Sequence, residues 1–536
     1  MHGRSWPSRL TLTWQFSRWA AGSATKIVEK LEGPVRRHAG LRLPPRKRAS
    51  TRVPLDSVPL PDELILPLEG GLSSRDMRPD IRSGQRVLRG QPLVRGGGPL
   101  STWTHASTSG TIRSLGSHPV GHARRREALC AVLEVDGEDD PWPELKPPDP
   151  TQWDTPEKLA TAVSRAGLAG LGGAVFPTGV KLAATRRNPI HTVVINGAEC
   201  EPYISCDDIL MRTAPREVLA GALALVALTG AVRGCVAVER DKAEAVDALR
   251  RELALLGARE QLSIATVPAI YPAGGERQLI QALTGHEVPS LAYPTDIGYL
   301  CQNVGTAAAL YRFLKTGEPL IRRITTVTGR GIVRPRNLEV RLGTRIADVV
   351  AACGGYKSTV TRLIMGGSMM GIALESDSVP VMRATNCILL PTERELGKVI
   401  DELPCIRCGD CVTACPAHLM PQELHRAVKG QRLDALEDLG LFDCIECGCC
   451  DVVCPSHIPL TESFRAGKQA FVQSMVLQDR VRWFGAREQL RRERVELWNA
   501  EHEEGPGKET PPGQCADAVT EIIERVSGLP AGASES

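Results

Sequence analysis

Between Val53 and Asp140 the apolar residues come in short alternating runs, "LILPLEG", "SGQRVLRGQPLV", "STSGTIRSLG" and "CAVLEVDG", each cut by glycine. A period of two over so few residues predicts strands, and the glycines predict tight turns, so residues 48–140 are expected to form a small antiparallel β domain. "PWPELKPPDP", rich in proline and charge, predicts a linker over 141–151. From Gln152 the pattern changes. "PEKLATAVSRAG", "REVLAGALALVALTGA" and "KAEAVDALRRELALLG" have helical periodicity, while "HTVVING", "GCVAVE" and "LSIATVPAI" read as strands. Helices alternating with short strands predict an α/β sheet over 152–322.

A second small unit, 323–392, starts at "ITTVTGRGIVRPRNLEVRLGTRIADVVAACGG" and closes near "NCILLP", with strands and one helix. The cysteine-dense stretch fills 393–465. The tail, 466–536, carries helix formers with dense alternating charge in "DRVRWFGAREQLRRERVELWNAEHEE" and is then broken by "GPGKETPPGQ"; a solvated helix followed by disorder is expected there. Residues 1–47 read as an irregular extension, because "LTLTW" falls short of the continuous apolar stretch of a signal peptide.

Composition narrows the classes. A chain of 536 residues is long for one core and predicts three or more folded units. A formal net charge of +3 is too near balance for a nucleic-acid binder, and no nucleic-acid partner is expected. The longest apolar stretch, "VLAGALALVALTGAV" from Val218, is too short to span a bilayer and reads as a buried helix. Seventeen cysteines bunched in one region of a large chain point to metal in a reducing, cytosolic compartment rather than to disulfides.

Eight of those cysteines follow one grammar twice. The spacing is Cys405-x2-Cys408-x2-Cys411-x3-Cys415-Pro416, then Cys444-x2-Cys447-x2-Cys450-x3-Cys454-Pro455. This is the bacterial ferredoxin spacing for two [4Fe-4S] clusters, in which the fourth cysteine of each run crosses to the other cluster. On that rule one cluster takes Cys405, Cys408, Cys411 and Cys454, and the other takes Cys444, Cys447, Cys450 and Cys415. Gly409 and Gly448 would let the backbone wrap closely around each cube, and the prolines end each run. Two zinc sites are the alternative, since CxxC pairs also ligate zinc, but they give no reason for three evenly spaced thiols followed by Cys-Pro. Cys449 and the eight remaining thiols read as small packed residues.

Clusters carry single electrons and need a feeder. "GLGGAVFPTGVKL" from Gly170 offers bare backbone N–H groups and Lys181, which suit an anionic cofactor. It is followed in order by "NGAECEPYISCDD", "YPAGGERQL" and "CQNVGTAAAL". Each is weak alone. In this order they resemble the flavin- and NADH-binding subunit of respiratory complex I. With "YPAGGERQLIQALTG", "GGSMMG" and the double cysteine run, the stretch from about Gly33 to Lys468 more closely resembles the RnfC (also RsxC) family of Rnf ion-translocating electron-transport complexes.

The resemblance implies a multidomain α/β and α+β chain: a barrel-sandwich hybrid domain, a complex I flavoprotein-like α/β domain, an SLBB β-grasp domain, a double [4Fe-4S] ferredoxin-like domain and a helical tail. It implies FMN on Gly170, Gly172, Gly173 and Lys181, with Asn196, Glu199, Gly274, Gly275, Asn303 and Thr306 around its chain and ring. It places Phe176, Glu201, Tyr271 and Glu276 where relatives contact NADH. Leu171 and Ala198 stand where the complex I relative has arginine and aspartate. The implied activity is oxidation of NADH through FMN, with electrons passing singly through two [4Fe-4S] clusters. The implied partners are the other membrane subunits, with ferredoxin or flavodoxin reached indirectly through them, and the implied location is the cytoplasmic face of the bacterial inner membrane. Two other readings stay open: a soluble diaphorase module of another complex, and an iron–sulfur protein that has lost its flavin.

Overall fold

A computed structural model describes residues 39–68, 78–96, 101–122, 125–186, 188–397 and 400–503. The start of the N-terminal extension and the broken end of the tail lie outside the described residues. The chain divides into two compact units, one within residues 1–421 and 443–458, the other within 422–442 and 459–536.

In the first unit β1 (Asp56–Ser57) is followed by the strands of the small β domain: β2 (Glu63–Pro67), β3 (Arg78–Pro79), β4 (Arg86–Val87), β5 (Pro92–Arg95), β6 (Thr104–His105), β7 (Gly110–His122) and β8 (Arg125–Val135). They form two antiparallel sheets, ordered β2-β8-β7-β4 and β3-β5-β6. Leu64, Leu66, Val87, Leu93, Ile112 and Leu133 make the core between them. The alternation in "LILPLEG" and "CAVLEV" supplies those inward positions.

Four parallel strands follow, β9 (Thr192–Gly197), β10 (Arg233–Glu239), β11 (Leu262–Val267) and β12 (Tyr299–Asn303), in the order β11-β10-β9-β12. Both faces of β9 and β10 are covered by helices, so these strands are apolar nearly throughout rather than alternating. The apolar run from Val218 lies in the helix Pro215–Thr229, opened by Pro215 at its first position and closed by Gly230 at φ 66°. Its Gly221 faces the helix Val304–Thr316 so closely that a Cβ would sit 1.9 Å from the Ala307 carbonyl oxygen, which is why the pair can stack over the sheet. No helix among the described residues is long and apolar enough to cross a membrane.

The next sheet contains β13 (Arg322–Thr328), β14 (Arg336–Arg341), β15 (Leu363–Met365), β16 (Ile372–Leu374) and β17 (Cys387–Leu389). Its order is β1-β14-β13-β17-β15-β16, with β13 and β17 parallel at the centre and the helix Ile346–Ala352 packed on the face through Ile346, Val349 and Val350. Pairing of β1 with β14 draws residues 56–57 out of the N-terminal β domain and into this sheet. Likewise, residues 41–47 of the extension lie on the α/β domain: Leu41 forms a two-way backbone bridge with Tyr271, and the Pro45 carbonyl accepts from Tyr203 N at 2.8 Å.

The second unit is helical, with Leu433–Asp438 and the 44-residue Leu460–Glu503, where the tail's alternating charges pair along the surface, as in Arg492 with Glu488 at 3.3 Å. Such exposed i,i+4 pairs contribute only about 0.3–0.5 kcal/mol each.

Candidate functional site

The strand order creates a crevice. From β9 the chain moves outward to β10 and β11, then returns to lay β12 on the opposite side of β9, so the connections leaving β9 and β12 diverge at the carboxyl ends of the strands. Open α/β sheets bind ligands at such a switch point. Asn196 lies near the end of β9 and Asn303 ends β12, and the two are direct register partners.

Each asparagine is fixed by its surroundings. Asn303 caps the helix Val304–Thr316, its Oδ1 accepting from Gly305 N at 2.8 Å, and its Nδ2 donates to Asp207 Oδ2 at 2.6 Å. Asn196 Nδ2 donates to the Gly274 carbonyl at 2.8 Å while its Oδ1 accepts from Ala198 N at 3.0 Å. Gly274 has no room for a side chain, since a Cβ would lie 2.1 Å from the Ala198 carbonyl oxygen. Gly275 sits at the N-cap of the helix Glu276–Thr284.

The glycine loop is pinned over the same end of the sheet. Gly170 N donates to the Phe176 carbonyl at 2.9 Å, closing the loop's base, and Leu171 N donates to Thr306 Oγ1 at 3.0 Å in the first turn of the Asn303-capped helix. A Cβ on Gly172 would lie 3.4 Å from Asn303 Nδ2, and one on Gly173, at φ 114°, would have Asn386 Nδ2 as its nearest neighbour at 4.0 Å. The loop's bare faces therefore border two side-chain amides. Lys181 stands behind it, donating to Glu276 Oε1 at 2.7 Å and to the Cys301 carbonyl at 3.1 Å.

Beside Asn303 lies an acidic cluster. The ligand atoms of Glu199, Cys206 and Asp207 lie within 4.8 Å of one another. Glu199 Oε1 accepts from Asp207 N at 2.9 Å and from Cys206 Sγ at 3.3 Å, while its buried Oε2 has no partner. Burial, then the neighbouring Glu199 carboxylate, pushes Asp207 up to about 7. Lys47, buried, donates to the Glu199 carbonyl and lies 3.9 Å from the buried Glu239. Arg323 donates to the Leu171 carbonyl at 3.3 Å. Of these, Asp207 and Cys206 sit inside "NGAECEPYISCDD", where a carboxylate so soon after a strand end is a readable signal; nothing local marks Lys47 or Arg323.

The pH consequence has a defined sign. An unfolded aspartate releases its proton near about 3.9, whereas folded Asp207 holds it to about 7, so its stabilising contribution is full at acid pH and lost as pH rises through that value. Asp207→Asn is expected to flatten this part of the profile, raising the thermal unfolding temperature relative to wild type between about pH 5 and about pH 8. Parallel profiles for the two proteins would count against Asp207 as the titrating group.

Of the four residues placed by resemblance at a nicotinamide nucleotide, Glu201 and Tyr271 lie near one another, since burial and then the Glu201 charge raise the pKa of the Tyr271 hydroxyl. Phe176 is half-buried on the glycine loop, and Glu276 is paired with Lys181. Glu201 Oε1 accepts from Met369 N and Met370 N, both at 2.8 Å, in the "GGSMMG" loop, and burial raises its carboxyl above the ordinary range. Tyr271 is 3% exposed, its hydroxyl donating to the Cys447 carbonyl at 2.6 Å.

The two cysteine runs fold as near copies. Arg407 and Glu446 take φ 58° and 57°, and Gly409 and Gly448 take φ 87° and 74°, heading the five-residue helices Asp410–Ala414 and Cys449–Val453. The runs end with Cys415 at ψ 116° and Cys454 at ψ 112°, and His418 and His457 follow at φ 54° and 52°. The helices pack on each other, and Leu403 N and the Pro404 carbonyl bond to Ser456 at 2.9 Å each, bringing the residues before Cys405 beside those after Cys454. A zinc bound by four thiolates at about 2.3 Å would hold its sulfurs about 3.8 Å apart. No three of the eight sulfurs come within 4.8 Å of one another, so the loops are set wider than a single ion requires. Twinned wide loops ending in Cys-Pro fit cubane clusters. Amide-bordered glycines and the orphaned Glu199 Oε2 fit a phosphate-bearing, hydroxyl-rich group such as FMN.

Four family models match segments of the chain. Residues 35–138 match the RnfC barrel sandwich hybrid domain, 163–312 the Nuo51 FMN-binding domain, 324–373 the SLBB domain and 403–458 a 4Fe-4S dicluster domain. A solved NAD+-reducing [NiFe]-hydrogenase in the H2-reduced state is similar to 60% of this chain and 62% of its own at 21% identity, with a TM-score of 0.42. The chain is 45% identical over 404 residues to the RnfC protein of the ion-translocating oxidoreductase complex of Pseudomonas aeruginosa, covering 75% of this chain and 51% of that protein. To its counterpart in Klebsiella pneumoniae it is 39% identical over 491 residues, 91% of this chain and 64% of that one. The chain thus spans about half the length of the first curated relatives it matches. Against the Rhodobacter capsulatus RnfC protein it is 37% identical over 406 residues, which cover 75% of this chain and 76% of the relative, and on that likeness it belongs to the RnfC family of ion-translocating oxidoreductase complexes.

Proposed function

We propose that this chain is the peripheral subunit of a membrane-bound ion-translocating complex that takes electrons from NADH and passes them one at a time toward ferredoxin or flavodoxin through the membrane subunits. The observation that carries the reading is the union, in one compact unit, of a switch-point crevice bordered by glycine loop and asparagines with a twinned [4Fe-4S] fold. FMN supplies the conversion between two-electron hydride chemistry and single electrons. The protein's part is placement. Gly170, Gly172, Gly173 and Lys181 would take the phosphate end. Asn196, Glu199, Gly274, Gly275, Asn303 and Thr306 would border the chain and ring, where the partnerless Glu199 oxygen can accept from a hydroxyl or ring N–H. Phe176 and Glu276 stand at the loop where a nicotinamide nucleotide would approach; Glu201 and Tyr271 could serve it only by leaving their present partners. Cys405, Cys408, Cys411 and Cys454 would hold one cluster and Cys444, Cys447, Cys450 and Cys415 the other. The cytoplasmic face is the location where NADH is met.

The test is spectroscopic. Reconstituted protein with flavin is expected to lose its flavin absorbance on anaerobic addition of NADH, followed by the signals of reduced clusters. Iron and sulfide without flavin, in protein purified with its membrane partners, would favour the flavin-less electron carrier.

A further inference from the structure

Three stretches of the first unit carry cations and no carboxylate: 39–55, "AGLRLPPRKRASTRVPL", 329–338, "GRGIVRPRNL", and 353–362, "CGGYKSTVTR". The fold brings them together. Asn337 Nδ2 donates to the Ser50 carbonyl at 3.1 Å, tying the helix Arg48–Thr51 to β14. Lys357 N donates to the Gly331 carbonyl at 2.8 Å and Arg334 N to the Cys353 carbonyl at 3.0 Å, so the second and third stretches are cross-bonded loops. The Arg46 guanidinium lies 5.9 Å from the centre of the Tyr203 ring. The Tyr203 hydroxyl donates to Glu395 Oε1, and Arg330 N donates to Glu395 Oε2, both at 3.1 Å. The first stretch therefore meets the second at one tyrosine and glutamate. Arg46, Arg48, Arg330, Arg334, Lys357 and Arg362 are all exposed. None of them has an ion-pair partner among the described residues, although Arg336 beside them is taken by Asp56. Arginines elsewhere on the surface are met by carboxylates, Arg86 by Asp136 and Asp140 and Arg216 by Glu252. Between the free cations, Val333 is 43% exposed and Tyr356 is 41% exposed, the Tyr356 hydroxyl donating to Asp377 Oδ2 at 2.7 Å.

We propose that this face docks on an anionic lipid bilayer, the cations meeting headgroup phosphates while Val333 and Tyr356 enter the boundary between headgroups and acyl chains. Charge complementarity carries the proposal: unpaired cations gathered from three acid-free stretches leave a surface whose counter-charge must come from outside the chain. Two observations favour a bilayer over an acidic protein. The cations are spread over separate loops and hold no preset hydrogen-bond partner, which suits a diffuse sheet of negative charge. An aromatic ring and a branched aliphatic side chain stand exposed among them, the pairing by which surface segments lie in a membrane interface. A bilayer is also the medium in which the ion-translocating complexes of this family work. Each cation brought near such a surface strengthens binding about fivefold, and salt screens the effect. The proposal goes beyond the electron-transfer reading and does not depend on it.

The experiment is sedimentation of the full chain with vesicles. Vesicles of equal phosphatidylglycerol and phosphatidylcholine are expected to carry the protein down at low salt and to release it as salt rises, while phosphatidylcholine alone leaves it in solution. Arg330→Ser combined with Lys357→Ser is expected to weaken binding about 25-fold. Val333→Ser combined with Tyr356→Ser is expected to weaken it with the salt dependence unchanged. Arg86→Ser combined with Arg216→Ser removes the same charge from ion-paired positions and is expected to change binding less than about twofold. Neutral vesicles binding as strongly as anionic ones, or equal losses in the two arginine-bearing double variants, overturn the proposal. Capture by polyglutamate in preference to vesicles also overturns it, and would mark the face as a seat for an acidic protein. Release from vesicles by inorganic phosphate matched to the lipid phosphate overturns it in favour of a site for free phosphate.

Discussion

Cys454→Ser is expected to abolish the resonance signal of the cluster held by Cys405, Cys408 and Cys411, residues some forty positions upstream, and to lower the iron content from about eight to about four per chain. The physical reason is the crossing of the two runs. Each cysteine triplet would wrap its own cube, so the chain would leave the loop before its last thiol, and a five-residue helix after Gly448 separates Cys454 from Cys447. That helix packs on its twin Asp410–Ala414, and Ser456 bonds on both sides of the Leu403–Pro404 peptide. These bonds bring the residues just before Cys405 beside those just after Cys454. Ala414, one residue before Cys415, packs in one cluster with Cys447, which suits a reciprocal crossing. Loss of the signal belonging to Cys444, Cys447 and Cys450 instead would show that each run serves its own cluster.

Gly274→Ala is expected to cost about 1–3 kcal/mol of stability in the α/β domain and to strip the protein of flavin. A Cβ there would sit 2.1 Å from the Ala198 carbonyl oxygen and 3.1 Å from Cys200 Sγ. The nearer obstacle is backbone, which cannot rotate away. To relieve it the 271–276 loop must lift from β9, and the Asn196 bond to the Gly274 carbonyl goes with it. Gly275→Ala is the control. Its Cβ would meet Gln278 Oε1 at 2.4 Å, the end of a side chain that can turn, and that oxygen has no partner to lose. The control is expected to cost less than about 1 kcal/mol, the range of an altered helix N-cap. Chemical unfolding monitored by far-ultraviolet dichroism separates the two in stability, and flavin content is measured on the Gly274→Ala samples. Equal losses would mean that the contact with Ala198 is not what excludes a side chain.

The alternation of helix and strand was legible from 152 to 322 because continuous apolar strands and amphipathic helices are local patterns, and the helix of "VLAGALALVALTGAV" formed where its periodicity put it. The cluster loops were legible for the same reason: ligand spacing, glycine and proline all fall within a dozen residues. The partners of the site residues were not. Glu201 reads as one carboxylate in "ECEP", yet its oxygen is held by an amide 168 residues away. Tyr271 reads as an aromatic available to a nucleotide, yet its hydroxyl meets a carbonyl 176 residues on. Lys47 falls in a stretch without periodicity and is buried against Glu199 and Glu239 all the same.

The sequence alone determined which chemistry its motifs point to, two cubane sites from thiol spacing and, by resemblance, an FMN-binding domain, because ligand spacing and turns are fixed by neighbours along the chain. The tertiary structure decided how they are joined. It set Asn196 opposite Asn303 by the return of β12 beside β9, and it buried Cys447 and Cys449 against Tyr271 while leaving Cys405 and Cys408 open. Those choices depend on contacts between segments far apart along the chain, where the favourable term is burial and hydrogen-bond satisfaction in the assembled core and not any preference of the local chain.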